Sequence, residues 1–177
     1  MPEHSLPGRP NASAAYSLEP PLGGEHPSPP PGRGSGGGGV PGTVLAFDFG
    51  TQRIGVAIGE GLLGQARALT TIDSPANDAR FAAIGRLIAE WQPARLVVGL
   101  PLALDGTEHE MTARSRRFAH QLEGRYRLPV ELVDERLTSA EAERTVKPGR
   151  DKSAKARVDA EAARIILQDW FEHAHTA

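Results

Sequence analysis

Cysteine is absent from this chain of 177 residues, which excludes disulfides and thiolate metal sites. Long apolar runs are absent too: none approaches the roughly 18 residues that span a bilayer, and the N-terminus has no apolar signal core. Net charge is nearly absent, since 20 basic residues face 22 acidic ones. The chain therefore has no global attraction for nucleic acid, and any such site must be a local patch. We expect a cytoplasmic globular protein that does not associate with membranes.

Residues 1–42 differ in composition from the rest of the chain. They hold ten Gly and ten Pro and scarcely any aliphatic residue, so they cannot bury enough apolar surface to offset the chain entropy. We predict a disordered tail over residues 1–42, one folded domain over residues 43–173 and a short C-terminal tail over residues 174–177. The glycine run lacks the spacing of a phosphate-binding loop and precedes no predicted helix.

Short apolar runs from Thr43 onward predict five strands. The first two runs are separated only by GTQ, which predicts a hairpin. The fourth run, RLVVG, is continuously apolar, as is typical of a strand in the middle of a covered sheet. The predicted strands cover residues 43–49, 53–59, 65–72, 95–99 and 130–134.

Capping residues and apolar stripes predict four helices around these strands. Three of them start with a Ser or Thr cap that is followed by proline or, three positions later, by an acidic residue. The order of elements predicts an α/β domain with a mixed five-stranded sheet and helices on both faces. The predicted helices start at Ser74, Thr107, Thr138 and about Ala154, and they end before Pro93, at about Gly124, before Pro148 and at about Glu172.

Three acidic residues form a candidate site in this arrangement. Asp48 ends the first strand, Glu135 follows the last strand, and Asp159 lies on the apolar side of the last helix. If the first and fifth strands flank a common partner, the three carboxylates converge. Converging carboxylates repel one another and need a divalent cation, and all-oxygen ligands favour Mg²⁺ or Mn²⁺. Asp134, the neighbour of Glu135, is expected to point to the other side of the strand.

Each of these acids also has a purely structural interpretation. Asp48 could organise the turn that follows the first strand. Asp159 could stabilise the start of the last helix through the helix dipole. Glu135 could pair with Arg53 or Arg136.

Four segments of the sequence carry a family resemblance: LAFDFGTQRIGVA (45–57), VVGLPLALDGTE (97–108), DERLTSAEA (134–142) and VDAEAARIILQDWF (158–171). They resemble the YqgF-type pre-16S rRNA nucleases, in the Holliday-junction-resolvase-like group of the ribonuclease H fold. The segments cover nearly all of residues 43–172 in the family's order. FDFGTxRIGVA joined to DERL[ST] is the specific part of this match.

The resemblance implies a ribonuclease H-like fold with active-site carboxylates at Asp48, Glu135 and Asp159. It implies a nuclease that uses Mg²⁺ or Mn²⁺ and processes the 5′ end of pre-16S rRNA in ribosome biogenesis. We expect a monomer or weak homodimer. Cleavage of Holliday junctions or other branched DNA is the nearest alternative, and a non-catalytic nucleic-acid-binding protein is another. The first segment also resembles the phosphate-binding hairpin of actin-like ATPases, but those proteins enclose a nucleotide between two such domains.

Basic residues near the last helix are candidate contacts for nucleic acid. Residues 144–157 hold six basic residues and one acid, a composition typical of a solvated loop or of a flap that contacts phosphates. The loop TVKPGRDKSAKA (145–156) is shorter and less glycine-rich than we expect for the family. The predicted nucleic-acid contacts are Arg53, Arg114, Lys152 and Lys155.

Overall fold

The structure is a computed structural model that describes residues 41–137 and 151–174. The described residues form five strands, three α-helices and a 3₁₀ turn at Glu135–Leu137. None of the described helices is long and apolar enough to cross a membrane. The predicted helix that starts at Thr138 and most of the predicted N-terminal tail lie outside the described residues. The elements are β1 (Thr43–Phe49), β2 (Arg53–Glu60), β3 (Gln65–Asp73), α1 (Asn77–Trp91), β4 (Arg95–Leu100), α2 (Glu110–Tyr126), β5 (Val130–Asp134) and α3 (Lys152–Ala174).

The five strands form one mixed sheet in the order β3-β2-β1-β4-β5. β2 is antiparallel to both β1 and β3, whereas β4 is parallel to β1 and β5 is parallel to β4. The carboxyl ends of β1, β3, β4 and β5 therefore lie at the same edge of the sheet. β1 and β5 both flank β4, which is the arrangement that convergence of the candidate acids requires. The predicted mixed five-stranded α/β sheet is confirmed.

Side chains that alternate along β1 enter two separate cores. Leu45 and Phe47 belong to the core that β1 shares with α1 and α2. Val44 and Ala46 belong to the core that lies under α3. Helices therefore cover both faces of the sheet, as predicted. Because side chains at every second position share a face, Asp48 lies on the α3 face with Val44 and Ala46.

The predicted start of α1 at Ser74 is wrong. The helix begins at Asn77, and Ala76 is its N-cap residue. The Ser74 hydroxyl instead accepts a hydrogen bond from the backbone N–H of Ala76 at 3.2 Å. The Ser74 carbonyl accepts a hydrogen bond from Nε of Arg80. Ser74 therefore stabilises the turn before the helix and leaves the capping position to Ala76.

The predicted start of α2 at Thr107 is also wrong. Asp105 Oδ1 accepts hydrogen bonds from the backbone N–H of Thr107 at 2.9 Å and from its hydroxyl at 2.7 Å. This local turn keeps Thr107 outside the helix, and His109 takes the N-cap position. The N–H of His109 donates to the hydroxyl of Thr112 at 3.1 Å. The chain thus enters α2 two residues later than the capping pattern predicts.

The other predicted boundaries shift by one or two residues. α2 continues past Gly124 to Tyr126, and α3 covers Lys152–Ala174, so the predicted C-terminal tail begins inside the last helix. At the other end, the carbonyl of Gly42 accepts a hydrogen bond from the N–H of Gly61 at 2.9 Å. The hydrogen-bonded fold thus includes one residue of the predicted N-terminal tail.

Candidate active site

Asp48 occupies a buried position near the end of β1. Only 6% of its surface is exposed, and its side chain lies on the α3 face of the sheet. In the β1–β2 ladder it pairs with Gly55. On its other side it lies one position beyond the Phe47–Val98 pair of the β1–β4 ladder, which sets it beside Gly99. A buried carboxylate is therefore flanked in the sheet by a glycine on each side.

The two glycines beside Asp48 make room for the two other candidate acids. A methyl group at Gly55 would overlap the backbone carbonyl of Asp159 in α3. A methyl group at Gly99 would overlap the carboxylate of Glu135 and Cδ1 of Ile166. The missing side chains allow α3 to approach β2 and allow the Glu135 carboxylate to lie over β4. Gly55, Asp48 and Gly99 thus form a row across three neighbouring strands, which we call the glycine row. The backbone of Asp159 lies over Gly55, and the carboxylate of Glu135 lies over Gly99.

Glu135 begins the 3₁₀ turn that follows β5, and only 2% of its surface is exposed. The residues on either side of it bind each other: Nη2 of Arg136 lies 2.6 Å from Oδ2 of Asp134. The backbone N–H of Arg136 also donates to Oδ1 of Asp134 at 3.0 Å. These hydrogen bonds lower the pKa of the Asp134 carboxyl group. Arg136 thus holds Asp134, while Glu135 lies buried over Gly99.

Asp159 lies in α3, where its carboxylate Oδ2 is 2.6 Å from Nε of Arg53. About a quarter of each side chain is exposed, 23% for Asp159 and 28% for Arg53. Asp159 is two helical turns from Lys152, the first residue of α3. The interpretation as a helix-start residue is therefore wrong, because the dipole effect fades within the first turn. Arg53, a predicted nucleic-acid contact, is engaged with one of the candidate acids.

The oxygen donors of this site suit a hard divalent cation in their chemistry. Asp48 and Glu135 offer carboxylates at nearly buried positions on one face of the sheet. Asp159 already has a cationic partner in Arg53. Within residues 41–137 and 151–174, no three His, Asp or Glu side chains stand close enough together to hold an ion in their present rotamers.

The predicted basic contacts divide between the two faces of the sheet. Lys152 is exposed and Lys155 is half-buried in the first turns of α3. Together with Asp159 they are spaced i, i+3 and i+7, so they lie along one side of the helix. Arg114 lies on α2, the helix of the other face, and forms an ion pair with Glu110. The structure therefore brings the two lysines, but not Arg114, to the face of the acids.

The mixed sheet with helices on both faces defines an α/β protein. The family model RuvX, described as a Holliday junction resolvase, matches residues 42–173, and the chain belongs to this family. The resemblance drawn from the four sequence segments is thereby confirmed.

Curated bacterial relatives named "Putative pre-16S rRNA nuclease" are similar over most of their length. The relative from Dechloromonas aromatica is 59% identical over 136 residues, which cover 76% of this chain and 93% of the relative. The relative from Chromobacterium violaceum is 56% identical over 138 residues, which cover 75% of this chain and 99% of the relative. Among solved structures, Thermus thermophilus RuvC in complex with a Holliday junction substrate aligns with a TM-score of 0.47 and 14% identity. That alignment covers 76% of this chain and 96% of RuvC.

Proposed function

We propose that this chain is a metal-dependent nuclease that hydrolyses phosphodiester bonds at the 5′ end of pre-16S rRNA during ribosome biogenesis. Family membership and the names of the curated relatives support the nuclease activity and its RNA substrate. The row Gly55–Asp48–Gly99 is the observation that carries the assignment of the site. Bacterial rRNA is processed in the cytoplasm, so a cytoplasmic location is part of the proposal.

The glycine row is difficult to explain by stability alone. Glycine weakens a strand because it loses more chain entropy and packs no side chain. A buried carboxylate adds a desolvation cost that a neutral side chain would avoid. Here both features occur next to each other in the central strands β1, β2 and β4. Such a concentration of unfavourable choices at one point of a sheet is typical of a functional site.

In this proposal Asp48, Glu135 and Asp159 hold Mg²⁺ or Mn²⁺. When held by these residues, such a cation would supply an activated water and would stabilise the leaving oxygen of the cleaved strand. Asp48 and Glu135 provide negative charge from buried positions, where few waters compete for their oxygens. Asp159 is the most exposed of the three acids, and the positive charge of Arg53 compensates its negative charge while no cation is bound.

The lysines of α3 give the nucleic acid a route to these acids. Lys152 and Lys155 precede Asp159 along one side of the helix, so that phosphates bound by the lysines lie next to the carboxylates. Contacts of this kind fix the position of a strand without reading its sequence. They therefore suit either RNA or DNA. Cleavage of branched DNA is the second candidate function, because the matching family model is described as a Holliday junction resolvase.

A cleavage assay with two substrates tests both candidates. Purified protein is incubated with a pre-16S rRNA fragment that carries the unprocessed 5′ end, and separately with a four-way DNA junction, each with and without Mn²⁺. We expect Mn²⁺-dependent cleavage of the RNA and little cleavage of the junction. The opposite preference would replace the RNA substrate with branched DNA.

Asp48→Asn tests the site itself. The change removes a ligand charge at nearly constant shape, so cleavage should be lost while the fold is kept. The matched control is Asp73→Asn, which removes the same charge from an exposed position at the end of β3 and should leave cleavage unchanged. Full cleavage by a verified Asp48→Asn preparation would rule out the proposed mechanism.

A further inference from the structure

A pocket of about 270 Å³ lies on the face of the sheet opposite the candidate acids. It opens between the first turns of α1 and the first half of α2. Both helices follow strands whose carboxyl ends lie at the same edge of the sheet as Asp48. The pocket is therefore close to the end of β1 but separated from the acids by the sheet. Its lining residues are Phe49, Asn77, Arg80, Phe81, Arg114, Arg117, Phe118 and Gln121.

Arg80 places a buried positive charge in the wall of this pocket. Only 4% of its surface is exposed. Its guanidinium donates through Nε to the carbonyl of Ser74 and through Nη2 to the carbonyl of Gly50, the latter at 2.6 Å. Carbonyl oxygens satisfy hydrogen bonds but do not neutralise the charge. Within the described part of the chain, no carboxylate forms an ion pair with Arg80.

A buried cation without an opposite charge is costly, and burial lowers the pKa of the Arg80 guanidinium. An anion in the pocket would compensate this charge with hydrogen bonds that are stronger than those between neutral groups. The two carbonyl bonds use two of the five N–H donors of a guanidinium. The other donors have the planar fork geometry that suits phosphate oxygens.

Two more arginines of α2 reach the same pocket. Arg114 is paired with Glu110 one helical turn away, whereas Arg117 forms no ion pair among the described residues. Of the three guanidinium groups at the pocket, only that of Arg114 forms an ion pair among the described residues, which leaves an excess of positive charge there.

The remaining walls suit a nucleotide rather than a free ion. Phe49 is half-buried, and its ring packs against Phe118 with a centroid distance of 4.9 Å. The Cζ atom of Arg80 lies 5.5 Å from the centroid of the Phe49 ring, so a base can stack on the part of this ring that Arg80 and Phe118 leave uncovered, and the amide of Gln121 can reach the polar edges of that base. Arginine beside an aromatic ring is the combination that binds single strands without sequence preference.

We infer that this arginine pocket binds a phosphate and its adjoining base in a single-stranded segment of the nucleic-acid substrate, across the sheet from the candidate acids. The inference rests on the proposed nuclease function. In this arrangement a strand that passes over the end of β1 is held on both faces of the sheet. The lysines of α3 hold it on the side of the acids, and the arginine pocket holds the flanking segment.

Neighbouring arginines of α2 provide a matched test. Arg117 lines the pocket, whereas Arg116 pairs with Glu108 and does not line it. Arg117→Gln and Arg116→Gln remove the same charge from adjacent positions. Binding of a fluorescent single-stranded oligoribonucleotide to the full chain is measured by anisotropy in EDTA, which prevents cleavage, over a series of salt concentrations.

We expect Arg117→Gln to weaken binding roughly tenfold and to reduce the slope of log affinity against log salt by about one, as loss of one phosphate contact should. Arg116→Gln should change the affinity by less than about twofold, because exposed charges are screened over about 10 Å at 0.1 M salt. In cleavage assays with Mn²⁺, Arg117→Gln should raise KM and leave kcat unchanged, since the pocket contacts no reacting atom.

Equal affinities for Arg117→Gln and Arg116→Gln would overturn the inference, and loss of cleavage in Asp48→Asn would then still support the proposed function. If the wild-type chain did not bind the oligoribonucleotide at all, the inference would be overturned, whereas the proposed function would still be decided by cleavage of the pre-16S rRNA fragment. A second experiment, with inorganic phosphate as the ligand, distinguishes a pocket that binds the phosphate of a nucleic acid from one that binds free phosphate. Stabilisation of the wild type by phosphate that Arg117→Gln abolishes, together with unchanged oligoribonucleotide binding, would assign the pocket to the free ion and overturn the inference.

Discussion

Glu135 directly follows β5, Gly99 lies in the neighbouring parallel strand β4, and the carboxylate of Glu135 occupies the place that a side chain at position 99 would take. Gly99→Ala should therefore push the carboxylate away from its position over Gly99. We expect a fall in kcat of roughly 100-fold, as misplacement of a catalytic group by about 1 Å can cause. The free energy of unfolding should fall by about 1–3 kcal/mol, because the methyl group also meets Ile166. Cleavage kinetics and urea unfolding measure the two effects.

Gly124→Ala is the matched control for this change. Gly124 lies in α2, and a methyl group there would meet no atom within 4 Å. Alanine is the better helix former, so this variant should gain up to about 1 kcal/mol and keep full cleavage. A folded Gly99→Ala protein with wild-type kcat would show that the buried position of Glu135 is not needed for the reaction.

The ion pair between Arg53 and Asp159 leads to a second prediction, which concerns the affinity of the site for Mn²⁺. The guanidinium and a metal ion compete for the same carboxylate, so Arg53→Gln should increase the affinity of the site for Mn²⁺. Mn²⁺ should then raise the melting temperature of Arg53→Gln more than that of the wild type, since tighter binding stabilises the folded state further. Thermal melts in EDTA and in Mn²⁺ measure this difference.

Arg164→Gln is the control for the Arg53 variant, because Arg164 forms a similar half-exposed ion pair with Glu161 in the same helix. Its Mn²⁺-induced shift should equal that of the wild type. If Arg53→Gln also behaved like the wild type, Asp159 would not be a metal ligand.

Asp169 makes a prediction about pH. Its carboxylate lies near the C-terminal end of α3 with 16% of the side chain exposed, and burial raises its pKa. Charge on this group therefore costs free energy in the folded state at pH values above its folded pKa. The cost disappears as the pH falls below the unfolded value of about 3.9. Asp169→Asn should be more stable than the wild type near neutral pH, and the difference should vanish on acidification.

Urea unfolding of Asp169→Asn and the wild type at about pH 7.5 and again below about pH 4 measures this difference. The Nδ1 atom of His173 lies 3.4 Å from Oδ2 of Asp169. The exposed Asp73→Asn should change the stability little at either pH. A gain for Asp169→Asn that persisted in acid would mean that packing, and not charge burial, is responsible.

The strands of this fold could be predicted closely from the sequence because their signal is local. Alternating or continuous apolar runs marked every strand to within one residue of its bounds. The predictions that helices start at Ser74 and Thr107 were wrong because a Ser or Thr hydroxyl can form hydrogen bonds within a turn as readily as at the N-cap of a helix. The sequence does not show which hydrogen bond each hydroxyl makes: the Ser74 hydroxyl accepts from the N–H of Ala76, and the Thr107 hydroxyl donates to Asp105.

The candidate site could be predicted only in part. Helical periodicity assigned Asp159 to the sheet-facing side of α3, but its partner Arg53 is 106 residues away and no local pattern connects them. The glycine row depends on β1 lying between β2 and β4, which strand patterns alone do not reveal. Arg80 is a similar case. Its burial depends on hydrogen bonds to backbone carbonyls in two loops. Every residue has such a carbonyl, so the sequence does not show which of them accept these bonds.

The lysines at the start of α3 separate nucleic-acid binding from metal binding. Replacing Lys152 and Lys155 together by alanine should weaken RNA binding by roughly an order of magnitude at low salt, with a shallower salt dependence, because fewer counterions are released. Mn²⁺ affinity should change little, since neither lysine is buried and water and salt screen their charges. Anisotropy measures the first effect and calorimetry the second.

Arg157 is the control for this last prediction. It is exposed and lies two residues after Lys155, which turns it about 200° around the helix, away from the side shared with Asp159. Lys155→Ala should weaken RNA binding, whereas Arg157→Ala, with the same loss of charge, should have a much smaller effect. Equal effects of the two changes would mean that α3 attracts RNA only through its total charge. The strand would then have no fixed path along this helix to Asp159, and the contacts that position it would have to lie elsewhere on the protein.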